Sequence, residues 1–584
     1  MNTDRSAPIA PSLHDHAVRG FSWRLPVLTV TAVAMALGTG PAVTASAQVP
    51  SMTQSVVGED GGEGEGGKDK VEWGDDDARM SEQATVNGRY NPSLDLSSLY
   101  SINRRIGAQQ SWTQGYTGSG VTVALIDTGV TRVKGLDGYG KVVNGPDLSY
   151  ESQRAGTRYQ DGFGHGTHMA GIVAGQDSDL RTGATASPFS FGGVAPDARI
   201  LNMKVATGDG GADVTGVIAA IDWVVQHRYD QGMNVRVISL AYGTTSTQGA
   251  NVDPLARAVE NAWKRGIVVV AAAGNDGVAS GSLLMPAADP YVIAVGAVDH
   301  LGTADLGDDV VADFSNDGNA IRRPDLLAPG KSVVGLRVGG SYVDQLHPEG
   351  LIGTDWEQRY LRGSGTSQAT AVVSGAVAIL LQQRPWLRPD EVKAVLTSSA
   401  DPLRAANPAQ GAGVIDVDGA LATSTPPLAT VTQTWPMSTG LGSLDASRGG
   451  EHVIDPATGT VLRGQVDALG DRFDSARWVT RSTAGQAWYG GTWGTRAWTG
   501  SAWAYDGWAA TTWTGNSWSG LAWSQHTWSE AYWDWAARSW RDDSWLARSW
   551  RGGTWEARSW RENSWVARSW RSDSWVARSW RTYP

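Results

Sequence analysis

The chain has 584 residues, a net charge of −11 and no cysteine. Its length implies several domains, because single cores rarely grow beyond ~250–300 residues. The lack of cysteine excludes a disulfide scaffold, thiol catalysis and Cys-ligated metal centres, and the acidic balance argues against a nucleic-acid partner.

Taken in chain order, residues 1–47 carry Arg5, Arg19 and Arg24, an apolar run from Leu25 to Leu37, and the small-residue site Ala45-Ser46-Ala47. This pattern predicts a secretory signal peptide, and no membrane span after its cleavage. Residues 48–105 are expected as an acidic, glycine-rich tether or pro-segment, with nine acids between Glu59 and Asp77 that resist collapse.

From 106 to 425 apolar runs alternate with helical patterns. Val121–Asp127, Arg199–Ala206, Val235–Gly243, Gly266–Gly274 and Tyr291–Asp299 read as strands buried on both faces. Between them Val214, Val217, Ile218, Ile221, Val224 and Val225 share one helical face. Leu255, Ala258, Val259, Ala262 and Trp263 share another, with Asp253 as N-cap, Pro254 in the first turn and Gly266 past the end. A third helix starts near Pro389. This alternation predicts an α/β fold, a doubly wound and mostly parallel sheet with helices on both faces. Chemistry in such sheets gathers at the carboxyl ends of the strands.

Three chemistry-bearing residues stand at such places. Asp127 ends a strand, His165 follows a glycine-rich turn into a helix, and Ser367 opens a long small-residue helix. A serine hydroxyl needs a base to become a nucleophile, histidine can be that base near neutral pH, and a buried carboxylate fixes its tautomer. Asn275 ends the strand that begins at Gly266, and its amide suits an oxyanion, together with the Ser367 backbone N–H.

Asp127-Thr-Gly, His165-Gly-Thr-His-Met-Ala-Gly, Ala273-Gly-Asn275 and Gly365-Thr-Ser367, in the order Asp, His, Ser, resemble the subtilisin-like serine peptidases. The strings from Val237 to Gly243, from Tyr291 to Asp299 and from Leu326 to Gly330 resemble the family as well. The resemblance implies a serine endopeptidase acting on protein or peptide substrates. Asp127, His165, Ser367 and Asn275 would be its catalytic groups, with an acyl-enzyme intermediate. Ala241, Tyr242 and Gly243 would form one wall of the pocket for the residue before the scissile bond, and Ala272, Ala273 and Gly274 the other. It implies no catalytic cofactor and leaves structural calcium open. The chain departs from the family after the serine, where Gln368, Ala369, Thr370, Ala371 and Val372 replace a pattern with methionine and a Pro-His pair. Against an aspartic peptidase stands the single Asp-Thr-Gly, and against a zincin the missing Glu between His165 and His168. His168 is read as structural.

Residues 426–477 are expected as a linker and 478–584 as tryptophan-rich pentad repeats. Of 29 tryptophans, 20 lie between 488 and 580 at five-residue spacing, with one phase reset from Trp533 to Trp535. Five is not a helical period, so the array predicts a β-solenoid-like stack or an unfolded repeat. From Trp535 on there are ten Arg against five acids, which suits contact with cell wall, glycan or an anionic polymer at the envelope. The alternative is an array packed on itself. At the level of function, the preferred reading is a secreted serine endopeptidase. The alternative is a non-catalytic surface protein with a peptidase-like domain and a binding tail.

Overall fold

The computed structural model describes residues 89–152, 156–182, 186–277, 280–352, 358–450, 452–454, 461–468, 470–489 and 492–493, with two-residue strands at 85–86, 496–497, 530–531, 550–551, 554–555 and 570–571. The expected signal peptide, most of the expected tether and most of the pentad array lie outside the described residues.

The central sheet is built from β1 (Thr122–Asp127), β2 (Val142–Asn144), β3 (Arg199–Lys204), β4 (Val235–Leu240), β5 (Val268–Ala272), β6 (Ile293–Asp299), β7 (Val310–Val311) and β8 (Leu326–Pro329). Its order is β2-β3-β1-β4-β5-β6-β8, all parallel, with β7 antiparallel on β6. The order reverses around β1, whose neighbours are β3 and β4. The carboxyl end of β1 is therefore the switch point at which such sheets form a crevice. β1 and β5 are buried along their whole length, as expected of strands covered on both faces.

The helices used below are α1 (Leu99–Arg105), α2 (His165–Ala174), α3 (Val214–His227), α4 (Pro254–Lys264), α5 (Thr366–Gln383), α6 (Pro389–Ser399), α7 (Leu444–Arg448) and α8 (Ser475–Ala484). The α4 punctuation is as read from the sequence. Asp253 Oδ1 accepts from Leu255 N at 2.7 Å, Pro254 stands in the first turn, and Gly266 takes φ 83°. α5 packs along α2 and under β4, β5 and β6. Its small residues make this approach close: a Cβ on Gly375 would stand 3.3 Å from the Val173 carbonyl oxygen.

Two segments differ from expectation. Residues 90–105, expected within the tether, are folded onto the domain. Ser98 caps α1, and Leu99, Ile102 and Ile106 enter the main core. Asp95 and Arg362 form a buried ion pair at 2.6 Å, and Tyr90 donates to the same carboxylate at 2.9 Å.

The second segment is 433–489, expected as a linker and the first pentads. Its described residues, together with Trp493, pack on α3 and α4. Ser438 N donates to both Glu260 oxygens at 2.8 Å. Arg448 of α7 binds Asp213, the N-cap of α3, at 2.6 Å with both side chains fully buried, and its remaining donors reach the Gly464 and Val466 carbonyls. Trp478 and Trp493 both donate their indole N–H to Asp222 Oδ2 of α3, at 2.7 and 2.9 Å, while Ser482 donates to Oδ1 at 2.5 Å. The Trp488 indole donates to Ala219 O at 2.9 Å. The first tryptophans of the array are thus core residues of the domain.

The pentad spacing has a local explanation here. Trp488–Tyr489 pairs antiparallel with Thr492–Trp493, which places Trp488 opposite Trp493. Trp550 is paired opposite Trp555 in the same register. A hairpin with a two-residue loop sets residue i across from i+5. Both connections read Gly-Gly in sequence, a favoured composition for such loops. In these two strand pairs the five-residue spacing matches cross-strand pairing of tryptophans.

Candidate active site

Asp127 is the last residue of β1, and His165 is the first of α2. The topology brings them into direct contact. His165 Nδ1 lies 2.8 Å from Asp127 Oδ1 and 3.0 Å from Oδ2, with both residues almost wholly buried. The Thr128 backbone N–H also donates to Asp127 Oδ1, at 2.7 Å. A carboxylate oxygen facing Nδ1 accepts from it, so in this pairing Nδ1 is the donor and Nε2 is left to act as an acceptor.

A second carboxylate holds the frame around this pair. Asp161 is fully buried and accepts from Gly164 N at 2.6 Å, Thr167 N at 2.7 Å and the Thr128 hydroxyl at 2.8 Å. The Thr128 oxygen in turn accepts from Gly166 N at 2.8 Å. Asp161 therefore ties the first turn of α2 to the residue after Asp127. Burial pushes its carboxyl above the usual range, against the pull of the hydrogen bonds from Thr167 and Gly164. Sequence reasoning passed over Asp161. The signal was present, because an Asp three residues before the Gly-His helix start can satisfy the orphan N–H groups there.

Ser367 is the second residue of α5. It is fully buried, and its hydroxyl has no hydrogen-bond partner among the described residues. The turn before it is set by Gly365, whose N–H donates to Gly330 O at 2.8 Å. This contact leaves no room for a side chain at Gly330, where a Cβ would stand 2.8 Å from the Gly365 oxygen.

Asn275 reaches the same helix start. Its Oδ1 accepts from the Thr366 backbone N–H at 2.8 Å and from the Thr366 hydroxyl at 2.9 Å. Gly274 N donates to that hydroxyl at 3.2 Å. With Oδ1 so engaged, the Asn275 amide nitrogen is buried without a hydrogen-bond partner among the described residues. An unpaired buried amide costs about 1–3 kcal/mol.

His168 sits on α2 one turn from His165. It is buried, its ring nitrogens have no hydrogen-bond partner among the described residues, and its ring lies against Gly335. Burial, and then the charge of His165, push its pKa down to about 3, so it stays a neutral packing group. Among the described residues no cluster of three or more His, Asp or Glu is placed to hold a metal ion, and no helix is long and apolar enough to cross a membrane.

Ala241, Tyr242 and Gly243 follow directly on β4, and Ala272, Ala273 and Gly274 run off the end of the adjacent β5. The side chains of Ala241, Tyr242, Ala272 and Ala273 are buried, with Tyr242 1% exposed.

The sequence model of the subtilase family matches residues 118–414. Serine protease AprX of Bacillus subtilis is 36% identical over 315 residues, covering 53% of this chain and 67% of that protein. Subtilisin DY of Bacillus licheniformis is 34% identical over 319 residues, and Subtilisin Savinase of Lederbergia lenta 30% over 316. Each of these alignments covers 54% of this chain and 96% of the relative. The chain belongs to the subtilase family of serine-type endopeptidases.

Proposed function

We propose that the chain is an exported endopeptidase in which Ser367, His165 and Asp127 act as a triad and Asn275 as an oxyanion donor. Ser367 Oγ attacks the scissile carbonyl carbon as His165 Nε2 takes its proton. Asp127 holds Nδ1–H and stabilises the imidazolium. Asn275 Nδ2 and the Ser367 backbone N–H donate to the oxyanion of the tetrahedral intermediate. Collapse expels the amine, which takes the proton from His165, and leaves an acyl-enzyme on Ser367. Water, deprotonated by His165, then releases the acid. The substrate lies extended between the 241–243 and 272–274 segments, with its backbone paired to them as an added strand. Protein or peptide is the substrate class.

The observation that carries this reading is the hydrogen bond from His165 Nδ1 to Asp127, because it presents Nε2 in the basic tautomer. A fluorophosphonate probe should label the wild-type chain and leave Ser367→Ala unlabelled. Folded wild-type protein that takes no label would point to a non-catalytic surface protein instead. Export is supported by the pattern of residues 1–47. The arginine-rich pentads after Trp535 support retention on an anionic envelope polymer, tested by binding of the chain to purified cell wall at low and high salt.

A further inference from the structure

The two pocket walls each end in a glycine, and glycine at such places leaves space for another group. In this chain the space is filled from within. A Cβ on Gly243 would stand 2.7 Å from Leu284 Cβ and 2.9 Å from its Cδ1. A Cβ on Gly274 would stand 2.8 Å from Leu284 Cγ and 2.5 Å from Asn316 Nδ2. The Leu284 side chain therefore lies across both walls at once, and it is only 3% exposed.

Its backbone is tied to both walls as well. Leu284 N donates to Ala273 O at 3.0 Å, on one wall. Met285 and Thr244, the residue after Gly243, exchange hydrogen bonds at 3.0 and 2.9 Å, on the other. The Asn316 side chain completes the floor, accepting from Asp276 N at 2.6 Å and donating to Ser282 O at 3.0 Å. These bonds fix the Leu284 backbone between the two segments, and close packing against Gly243 and Gly274 confines its side chain there.

We propose that Leu284 is the residue that limits the pocket, so that the enzyme cleaves after small side chains such as Ala and Ser and rejects Phe and Tyr. The proposal rests on the peptidase reading above. A large side chain would need the volume that Leu284 already occupies, and overpacking a rigid slot is penalised steeply.

The test uses the full chain with tetrapeptide p-nitroanilides that differ only in the residue before the scissile bond, with small-fluorophosphonate titration of active sites. Wild type should show kcat/KM for Ala at least tenfold above Phe. In Leu284→Ala the Phe-to-Ala ratio should rise at least tenfold, and in Leu284→Val it should move the same way by at least threefold. Phe cleaved within tenfold of Ala by wild type overturns the proposal. So does a ratio changed less than threefold in every folded variant. Wild type that neither labels nor cleaves any peptide fails the peptidase reading instead. Wild type that labels and prefers Phe fails only this one.

Discussion

Thr366 holds Asn275 by two hydrogen bonds to one oxygen, at 2.8 Å from its backbone and 2.9 Å from its hydroxyl. The residue before the proposed nucleophile thereby orients the proposed oxyanion donor. Asn275→Ala should lower kcat by ~10²–10³ with little change in KM, a magnitude measured on a subtilisin and carried over from it. Thr366→Val keeps the backbone bond and loses the hydroxyl. It should lower kcat by about three- to tenfold, again with KM nearly constant. Steady-state kinetics on one peptide substrate would check both. A rise in KM at unchanged kcat would show that Asn275 contributes to uniform substrate binding instead.

The His165–Asp127 contact gives a second expectation. Asp127→Asn replaces an acceptor with an amide that can offer Nδ1 a donor, which favours the wrong tautomer. A loss of ~10⁴ in kcat should follow, as in other Ser-His-Asp enzymes. Labelling by fluorophosphonate should slow in parallel, and circular dichroism should show the fold retained.

Arg448 supports a prediction on stability. Its guanidinium and the Asp213 carboxylate are both fully buried. Arg448→Met would strand the carboxylate at the start of α3 and should cost about 3–5 kcal/mol, read from urea unfolding. A loss below about 1 kcal/mol would mean that the segment around α7 is not integral to the domain.

Asp222 makes a pH-dependent prediction. Burial raises its pKa to about 6, against the hydrogen bonds from Ser482, Trp493 and Trp478 that favour the ionised form. The native state therefore binds this proton more tightly than the unfolded chain, in which an Asp titrates near ~3.9. The associated stability is fully present below about pH 4 and lost as pH rises through about 6. Unfolding free energies of wild type and Asp222→Asn should differ by an amount that changes between pH 4 and 6 and is flat above 7. Trp478→Phe keeps an aromatic ring, though a smaller one, but removes one donor to Asp222 and should cost about 1.5–3 kcal/mol near pH 7.

The α/β alternation was legible because strands buried on both faces are written as unbroken Val, Ile and Ala runs, as in β5. The cap of α4 was legible because Asp253 and Pro254 can serve few other purposes together. Of the strands that the sequence reading carried too far, two ran on into the proposed walls, to Gly243 and Gly274. There the backbone leaves the ladder while the residues stay small and apolar, since a binding wall and a buried strand share that composition. Asp127, His165, Ser367 and Asn275 stood out in the sequence because each sits at an element end in a distinctive string. Asp161 was missed because a lone Asp among glycines reads as a turn. The 433–489 segment was missed for a different reason. Its anchors are Arg448, Ser438 and Ser482, polar residues that sequence patterns assign to solvent. Their partners Asp213, Asp222 and Glu260 lie some 180–260 positions earlier in the chain.

The wrap of 433–493 over α3 and α4 also bears on the order of events during synthesis. Trp493 lies 126 residues after Ser367. At ~5–20 residues per second, a ribosome needs on the order of 6–25 s to cover that distance. During that interval the carboxylates of Asp213 and Asp222 wait for partners not yet made. The peptidase domain can therefore close its last face only after the chain has run well past its proposed nucleophile, so that maturation trails translation of the active-site residues.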